Sequence, residues 1–85
     1  MFFSKSFGYA LRGILFIALE GKGERNLQVE EIAKKISVPQ HFLAKVLKQM
    51  AQEGIIQSVK GPYGGFIATK KTMDTKLIRL FEVTD

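Results

Sequence analysis

Residues 37–54, SVPQHFLAKVLKQMAQEG, decide the fold of this chain. Within them, apolar residues recur at the spacing of one buried helical stripe, namely Leu43, Val46, Leu47 and Met50. The opposite side carries amines, amides and an imidazole but no carboxylate, and it comprises His41, Ala44, Lys45, Lys48 and Gln52. The pattern therefore predicts a helix with one face in the core and one basic face.

The ends of this helix have their own signals. Ser37 with Gln40 three positions later matches a capping box, and Pro39 suits the first turn. Gly54 is expected to stop the helix. A basic, amide-bearing face is what a reader of a DNA groove needs, although an ordinary solvated helix face presents the same pattern.

Two helices are predicted before this one. Residues 4–20 have an apolar stripe of Phe7, Leu11, Ile14, Leu15 and Ala18, with Ser4 as a candidate cap and with Tyr9 and Arg12 off the stripe. Residues 28–36 have Val29, Ile32, Ala33 and Ile36 facing inward, and Leu27 before them suits a single bridging strand residue. Two helices joined by a link of about 3–4 residues form a helix-turn-helix pattern.

A hairpin is predicted directly afterwards. Residues 55–60, IIQSVK, and 66–69, FIAT, are rich in β-branched residues, and GPYGG at residues 61–65 lies between them as a turn. This order predicts a mainly α winged helix-turn-helix, with a three-helix core and a two-stranded wing. Lys60 at the base of the loop can reach a phosphate, and glycine lets the backbone lie close to a groove wall.

The GPYGG segment allows two other interpretations. A tight hairpin that touches nothing would use the same residues. A nucleotide-phosphate loop does not fit, because no Gly-Lys-Ser/Thr ending is present and strands rather than a helix follow.

The end of the chain predicts a fourth helix over residues 72–83. Met73, Leu77, Leu80 and Phe81 can face one way, with Ile78 near the edge. This is more apolar surface than one side of a small core needs, so the excess indicates a docking surface for a second subunit.

Composition narrows the function. The chain has 85 residues, a net charge of +5 and no cysteine, which indicates one small domain without disulfides or thiolate metal sites. No acidic residue stands between Glu31 and Glu53 or between Glu53 and Asp74, and that basic centre favours a polyanion. The longest apolar run, residues 14–19, is far short of the ~20 residues of a membrane span. His41, the single histidine, is a very poor metal candidate, and no catalytic set is apparent.

Three stretches carry a family resemblance. They are SKSFGYALRGILFIAL at residues 4–19, EEIAKKISVPQHFLAKVLKQMAQEGIIQSVKG at residues 30–61, and GPYGGF at residues 61–66. In order and spacing they resemble the Rrf2 family of bacterial winged-helix transcription regulators, over nearly the whole chain.

The resemblance implies a cytoplasmic homodimer, acting as a repressor, on a pseudo-palindromic promoter site in double-stranded DNA. The third helix would enter the major groove and the wing the neighbouring minor groove. The groove-facing residues would be Pro39, Gln40, His41, Lys45 and Lys48. The wing contacts would be Lys60, Gly61, Pro62, Tyr63 and Gly64, while Ser4, Lys5 and Tyr9 would touch the sugar-phosphate backbone.

Three features depart from the family pattern. Tyr63 stands where the wing usually has a small residue, and Asp74 breaks the pattern that opens the fourth helix. Family members usually continue into a long dimerisation helix, and many carry a three-cysteine iron–sulfur segment. This chain ends before such a helix and has no cysteine. We therefore expect residues 1–85 to be a DNA-binding domain whose dimerisation and sensor region is truncated or absent, as in a short family member, and which has no cofactor.

Two hypotheses remain open at this point. The first is a sequence-specific DNA-binding repressor, and the second is a winged-helix module that binds another protein through the fourth helix. Neither is an enzyme, and we expect no membrane partner and no small-molecule site. A mobility shift on random duplex at low salt discriminates between the two.

Overall fold

The computed structural model describes residues 4–85, which form five α-helices, one π-helical turn and a two-stranded antiparallel hairpin. In chain order these are α1 (Lys5–Phe16), the π-helical turn (Ile17–Gly21), α2 (Val29–Ile36), α3 (Gln40–Gln52), β1 (Gln57–Val59), β2 (Gly65–Ile67), α4 (Lys70–Asp74) and α5 (Leu77–Thr84). This mainly helical order with a small hairpin confirms the predicted fold class.

The first helix begins as predicted but ends early. The Ser4 hydroxyl accepts a hydrogen bond of 3.1 Å from the Phe7 N–H and so caps the helix. The prediction of one α-helix up to residue 20 is wrong, because α1 ends at Phe16 and the π-helical turn follows. Lys22 then ends the turn with left-handed backbone at φ 55°.

The buried face of α1 also differs from the predicted stripe. Ala10, Gly13 and Ile17 are buried, whereas Leu15 is half exposed. Phe7 of the predicted stripe is buried as well, and the small residues Ala10 and Gly13 let α1 pack closely on α3. A Cβ at Gly13 would lie 3.4 Å from side-chain carbons of both Leu43 and Leu47.

The link between α2 and α3 corrects the predicted capping box. Ser37 does not cap α3, because it ends α2 in the left-handed region at φ 57°. The Val38 N–H donates back to the Ala33 carbonyl at 3.1 Å, which satisfies a carbonyl at the helix end. Pro39 is the residue just before α3 rather than in its first turn, and it gives no side-chain cap.

The buried stripe of α3 is confirmed. Its members Leu43, Val46, Leu47 and Met50 are all buried. Gly54 also acts as predicted. It has φ +77°, and hydrogen bonds of 3.0 Å run from the Gly54 N–H to Ala51 and from the Ile55 N–H to Met50.

The hairpin is shorter than its sequence signals. β1 pairs antiparallel with β2 over only three residues each, with Ser58 opposite Phe66. Leu27 forms the predicted bridge, exchanging hydrogen bonds of 2.8 and 2.9 Å with Phe66. Ile55 and Ile56 precede β1 and are buried in the core rather than paired in a strand. The wing is therefore fixed on one side by Leu27, which precedes α2, and on the other by Ile55 and Ile56, which follow α3.

The predicted fourth helix is two helices. α4 is capped reciprocally, since the Thr69 N–H donates to the Thr72 hydroxyl at 2.9 Å and the Thr72 N–H donates back at 3.4 Å. The Thr75 backbone is extended, which separates α4 from α5. Of the residues expected to face inward, only Leu80 is buried, while Met73 and Leu77 are exposed.

One core joins these elements. Its fully buried large side chains extend from the π-helical turn to the segment before β1, and they are Ile17, Leu27, Ile32, Leu43, Leu47, Met50 and Ile55. Across residues 4–85, every helix is too short or too polar to cross a bilayer.

Candidate nucleic-acid interface

The outer face of α3 is open to solvent. His41, Lys45, Lys48 and Gln52 are exposed, and Ala44 is half-buried. The helix itself contains no carboxylate. Its two lysines therefore have no partner along their own helix, and their charges face outward.

The first turn of α3 has free hydrogen-bonding groups. Gln40 is exposed, and within residues 4–85 its carboxamide takes no hydrogen bond. The sequence allows two roles for this side chain, capping of the helix and reading of a base. Because no side chain caps α3, the Gln40 carboxamide is available to a partner.

The start of α1 lies beside the start of α3. Tyr9 is half-buried, and its ring stands edge-on to the ring of Phe42, with centroids 5.2 Å apart and an interplanar angle of 84°. Lys5 and Ser4 are exposed, but the Ser4 hydroxyl already accepts the capping bond. The structure thus places Tyr9, one of the predicted backbone-contacting residues, against Phe42 in the first turn of α3.

The wing loop projects its predicted residues. Lys60, Gly61, Pro62 and Tyr63 are exposed, and the Tyr63 residue has 85% of its surface in solvent. A hydrogen bond of 3.0 Å from the Gly64 N–H to the Gly61 carbonyl closes the turn. Pro62 occupies the second position of this turn, where its fixed φ suits the geometry.

Two of the wing glycines are required by the protein's own backbone. A Cβ on Gly64 would lie 2.0 Å from the Val59 carbonyl oxygen, and one on Gly65 would lie 2.1 Å from the Leu27 carbonyl oxygen. The close approach is therefore to the protein's own backbone. Only Gly61, with φ +106° and open space around it, leaves room for an outside partner.

Ion pairing leaves the lysines of this surface free. Among residues 4–85, Arg25 pairs with Glu20 at 3.9 Å and with Glu31 at 3.3 Å, and Arg79 pairs with Glu53 at 2.7 Å. No ion pair in that part of the chain involves Lys5, Lys45, Lys48 or Lys60. Two of the acids that border the basic centre, Glu31 and Glu53, are thus paired with arginines.

Two residues that sequence reasoning missed hold the surface in place. The Arg12 guanidinium donates to the Ile36 carbonyl and so joins α1 to the end of α2. The Asn26 side chain donates to the Tyr63 carbonyl at 3.4 Å and joins the wing tip to the turn before α2. Each partner lies more than twenty positions away along the sequence. No local pattern signals such a contact.

Comparison with known families gives one match over almost the whole chain. The model of the Rrf2 family, described as "Iron-dependent Transcriptional regulator", matches residues 3–85.

Similar proteins carry related names. A protein of Aquifex aeolicus, provisionally named an HTH-type transcriptional regulator, is 44% identical over 84% of this chain and 48% of its own length. The HTH-type transcriptional regulator NsrR of Bacillus subtilis is 32% identical over 88% of this chain and 49% of its own length. The chain thus spans about half the length of these relatives.

Solved structures agree in fold. CymR of B. subtilis, described as the global cysteine regulator, has a TM-score of 0.88 at 20% identity, covering 100% of this chain and 65% of its own. IscR of T. potens has a TM-score of 0.85 at 21% identity, covering 100% and 61%. At these identities the likeness shows the fold alone. The Aquifex protein, NsrR and CymR are all described as regulators rather than enzymes.

The iron in the family description does not fit the described residues. The chain has no cysteine, and residues 4–85 contain no group of three or more His, Asp or Glu side chains that could hold a metal ion. His41 stands alone on the α3 surface. These residues therefore lack a donor set for iron or for an iron–sulfur cluster.

Proposed function

Because this chain belongs to the Rrf2 family of helix-turn-helix transcriptional regulators, we propose that it binds duplex DNA, with α3 in the major groove and the wing in the adjacent minor groove. The observation that carries the proposal is a set of exposed, unpaired lysines on α3 and on the wing, namely Lys45, Lys48 and Lys60. Such amines neutralise phosphates and release counterions.

Base reading is assigned to the start of α3. The Gln40 carboxamide offers both a donor and an acceptor, which matches the N6 and N7 positions of adenine in the major groove. His41 and Pro39 are exposed beside it. The N–H groups of this first turn have no side-chain cap, so they can also meet a phosphate.

The remaining residues position the protein on the backbone. Lys5 lies at the start of α1, which Tyr9 joins to Phe42 of α3. Contacts to phosphate and sugar fix the register of a protein on DNA without reading sequence. We assign Ser4, Lys5 and Tyr9 to this role, and Lys60 and Gly61 to the same role on the wing.

We also propose that the protein acts as a homodimer. Five large apolar side chains are 50–73% exposed on one set of elements, and they are Leu15, Leu19, Met73, Leu77 and Ile78. Three of them, Leu15, Met73 and Leu77, line a groove of about 260 Å³ formed by α1, α4 and α5, together with Leu11, Ile14 and Leu80. A two-fold dimer reads a pseudo-palindromic site, and we propose that this protein represses transcription by occupying such a site in a promoter.

The same apolar surface suits the alternative, a winged-helix module that binds another protein. A mobility shift on random-sequence duplex at low salt separates the two functions. DNA binding predicts a shift at micromolar protein that weakens steeply as salt rises. The absence of a shift at that concentration contradicts the proposal and favours the protein-binding alternative.

A further inference from the structure

Tyr63 is the most exposed of the large hydrophobic residues in the part of the chain that the structure describes. It is 85% exposed, and the ring takes no part in the aromatic contacts of residues 4–85, which are Phe7–Phe81 and Tyr9–Phe42. A ring packed on the hairpin would be buried, so the Tyr63 ring does not pack there. The phenol is displayed to whatever meets the wing.

A single exposed aromatic residue is common and needs no explanation by itself. Tyr63 differs because the turn that carries it is held rigidly. The Gly61–Gly64 hydrogen bond closes the turn, Pro62 fixes φ beside the ring, and the Asn26 amide donates to the Tyr63 carbonyl. A ring on a preorganised turn loses little conformational freedom on binding.

The strand below the ring is fixed as well. Gly64 packs so closely on Val59 that a Cβ would lie 2.0 Å from its carbonyl oxygen, and β2 is tied to Leu27 by two backbone hydrogen bonds. The wing tip is therefore connected to the core by fixed backbone rather than by a flexible loop.

The charge around the ring selects its partner. No acidic residue stands between Glu53 and Asp74, and Lys60 is exposed three positions before Tyr63. A partner that carries both negative charge and flat π-faces meets these two groups together, and nucleic acid has that chemistry.

We propose that Tyr63 is a wedge that stacks on a base step from the minor groove, unstacks it and bends the duplex. The inference rests on the proposed function. Wedges of this kind bend DNA by about 20–90° toward the major groove. The protein then prefers sites with an easily unstacked pyrimidine–purine step under the wing, even though Tyr63 makes no base-specific hydrogen bond.

The test compares Tyr63→Ala and Tyr63→Phe with the wild type. The probe is a duplex that the wild type selects from a random library, placed at permuted positions in fragments of equal length. Mobility of the permuted fragments reports the bend, and titration reports affinity. Because Tyr63 is exposed, both variants are expected to keep the wild-type circular dichroism spectrum.

We expect Tyr63→Phe to retain bend and affinity, since the ring remains. Tyr63→Ala is expected to lose most of the bend and roughly 5- to 100-fold in affinity, with an unchanged salt slope because no charge is removed. If Tyr63→Ala bends the probe as the wild type does, the wedge is refuted while DNA binding stands. If the wild type itself selects no duplex, the proposed function fails together with the wedge.

Discussion

At the scale of single residues, the position of the charges matters more than their sum. The chain carries a net charge of +5, but its arginines and lysines differ in whether they form ion pairs. Arg25 and Arg79 pair with glutamates, while Lys45 and Lys60 take no ion pair within residues 4–85. The free amines lie on α3 and on the wing, where the proposed function needs them.

The first prediction concerns Gln40. We expect Gln40→Ala to weaken binding by about 1–3 kcal/mol on the selected site and to relax preference at one base pair, because one bidentate contact is lost. Gln52→Ala is the matched control, since Gln52 is exposed at the other end of the same helix. Binding to a panel of single-base variants measures both. A uniform loss across the panel would contradict base reading by Gln40.

The sequence predicted correctly which side of α3 is buried, but it did not predict the backbone geometry just before that helix. The buried stripe of α3 follows directly from its 3.6-residue period, and Leu27 and Gly54 behave as their chemistry predicts. Ser37 does not, because serine serves both as an N-cap and, less often, as a left-handed helix end. Ser37 ends α2 because the chain changes direction between α2 and α3, and a short stretch of sequence does not show that change.

At the scale of elements, short pieces are held by specific hydrogen bonds rather than by length. α4 has only five residues, too few to be stable as an isolated helix. It is held by the Thr69–Thr72 cap and by the Thr72 hydroxyl, which is buried and donates to the Ile55 carbonyl at 2.5 Å. That bond joins α4 to the segment between α3 and the wing.

The second prediction therefore concerns Thr72. We expect Thr72→Val, which keeps the shape but removes the hydroxyl, to lower the free energy of unfolding by about 1–3 kcal/mol, since it leaves buried polar groups unpaired. Urea unfolding measures the change.

Thr75→Val is the control for that experiment. The Thr75 hydroxyl donates to the Lys71 carbonyl at 2.7 Å, but that bond is exposed, so water can replace it. We expect a change of less than about 1 kcal/mol. Equal losses in the two variants would show that the buried bond has no special weight.

The split between α4 and α5 was the largest error at this scale. The apolar positions Met73, Leu77 and Leu80 keep a helical period across the break, so periodicity alone predicts one helix. The extended backbone at Thr75 and Lys76 lets α5 turn back on α3. There Arg79 reaches Glu53 and the Gln49 amide reaches the Val83 carbonyl at 2.7 Å.

At the scale of the whole molecule, the apolar surface opposite the core is the feature that a lone domain does not explain. Met73, Leu77 and Ile78 are each more than half exposed, and they lie within six positions of one another. Burying such side chains in a second subunit stabilises by about 25 cal/mol per Å² of apolar surface. The proposed homodimer accounts for this surface.

The third prediction tests that dimer. We expect the wild type to sediment as a dimer at micromolar concentration and Ile78→Glu to sediment as a monomer, because a buried unpaired charge opposes association. Lys34→Glu adds the same negative charge at an exposed position of α2 that does not line the groove formed by α1, α4 and α5, so it should remain dimeric. A wild type that is monomeric at all concentrations would contradict the dimer.

The central claim is that α3 and the wing contact the same DNA duplex. It is tested most directly by the salt dependence of binding for the wild type, Lys45→Ala, Lys60→Ala and the double variant, measured by fluorescence anisotropy between about 50 and 200 mM salt. We predict that the slope of log affinity against log salt falls by about one in each single variant and by about two in the double variant. A slope that either single variant leaves unchanged would show that its element does not touch the phosphate backbone, and would contradict the claim.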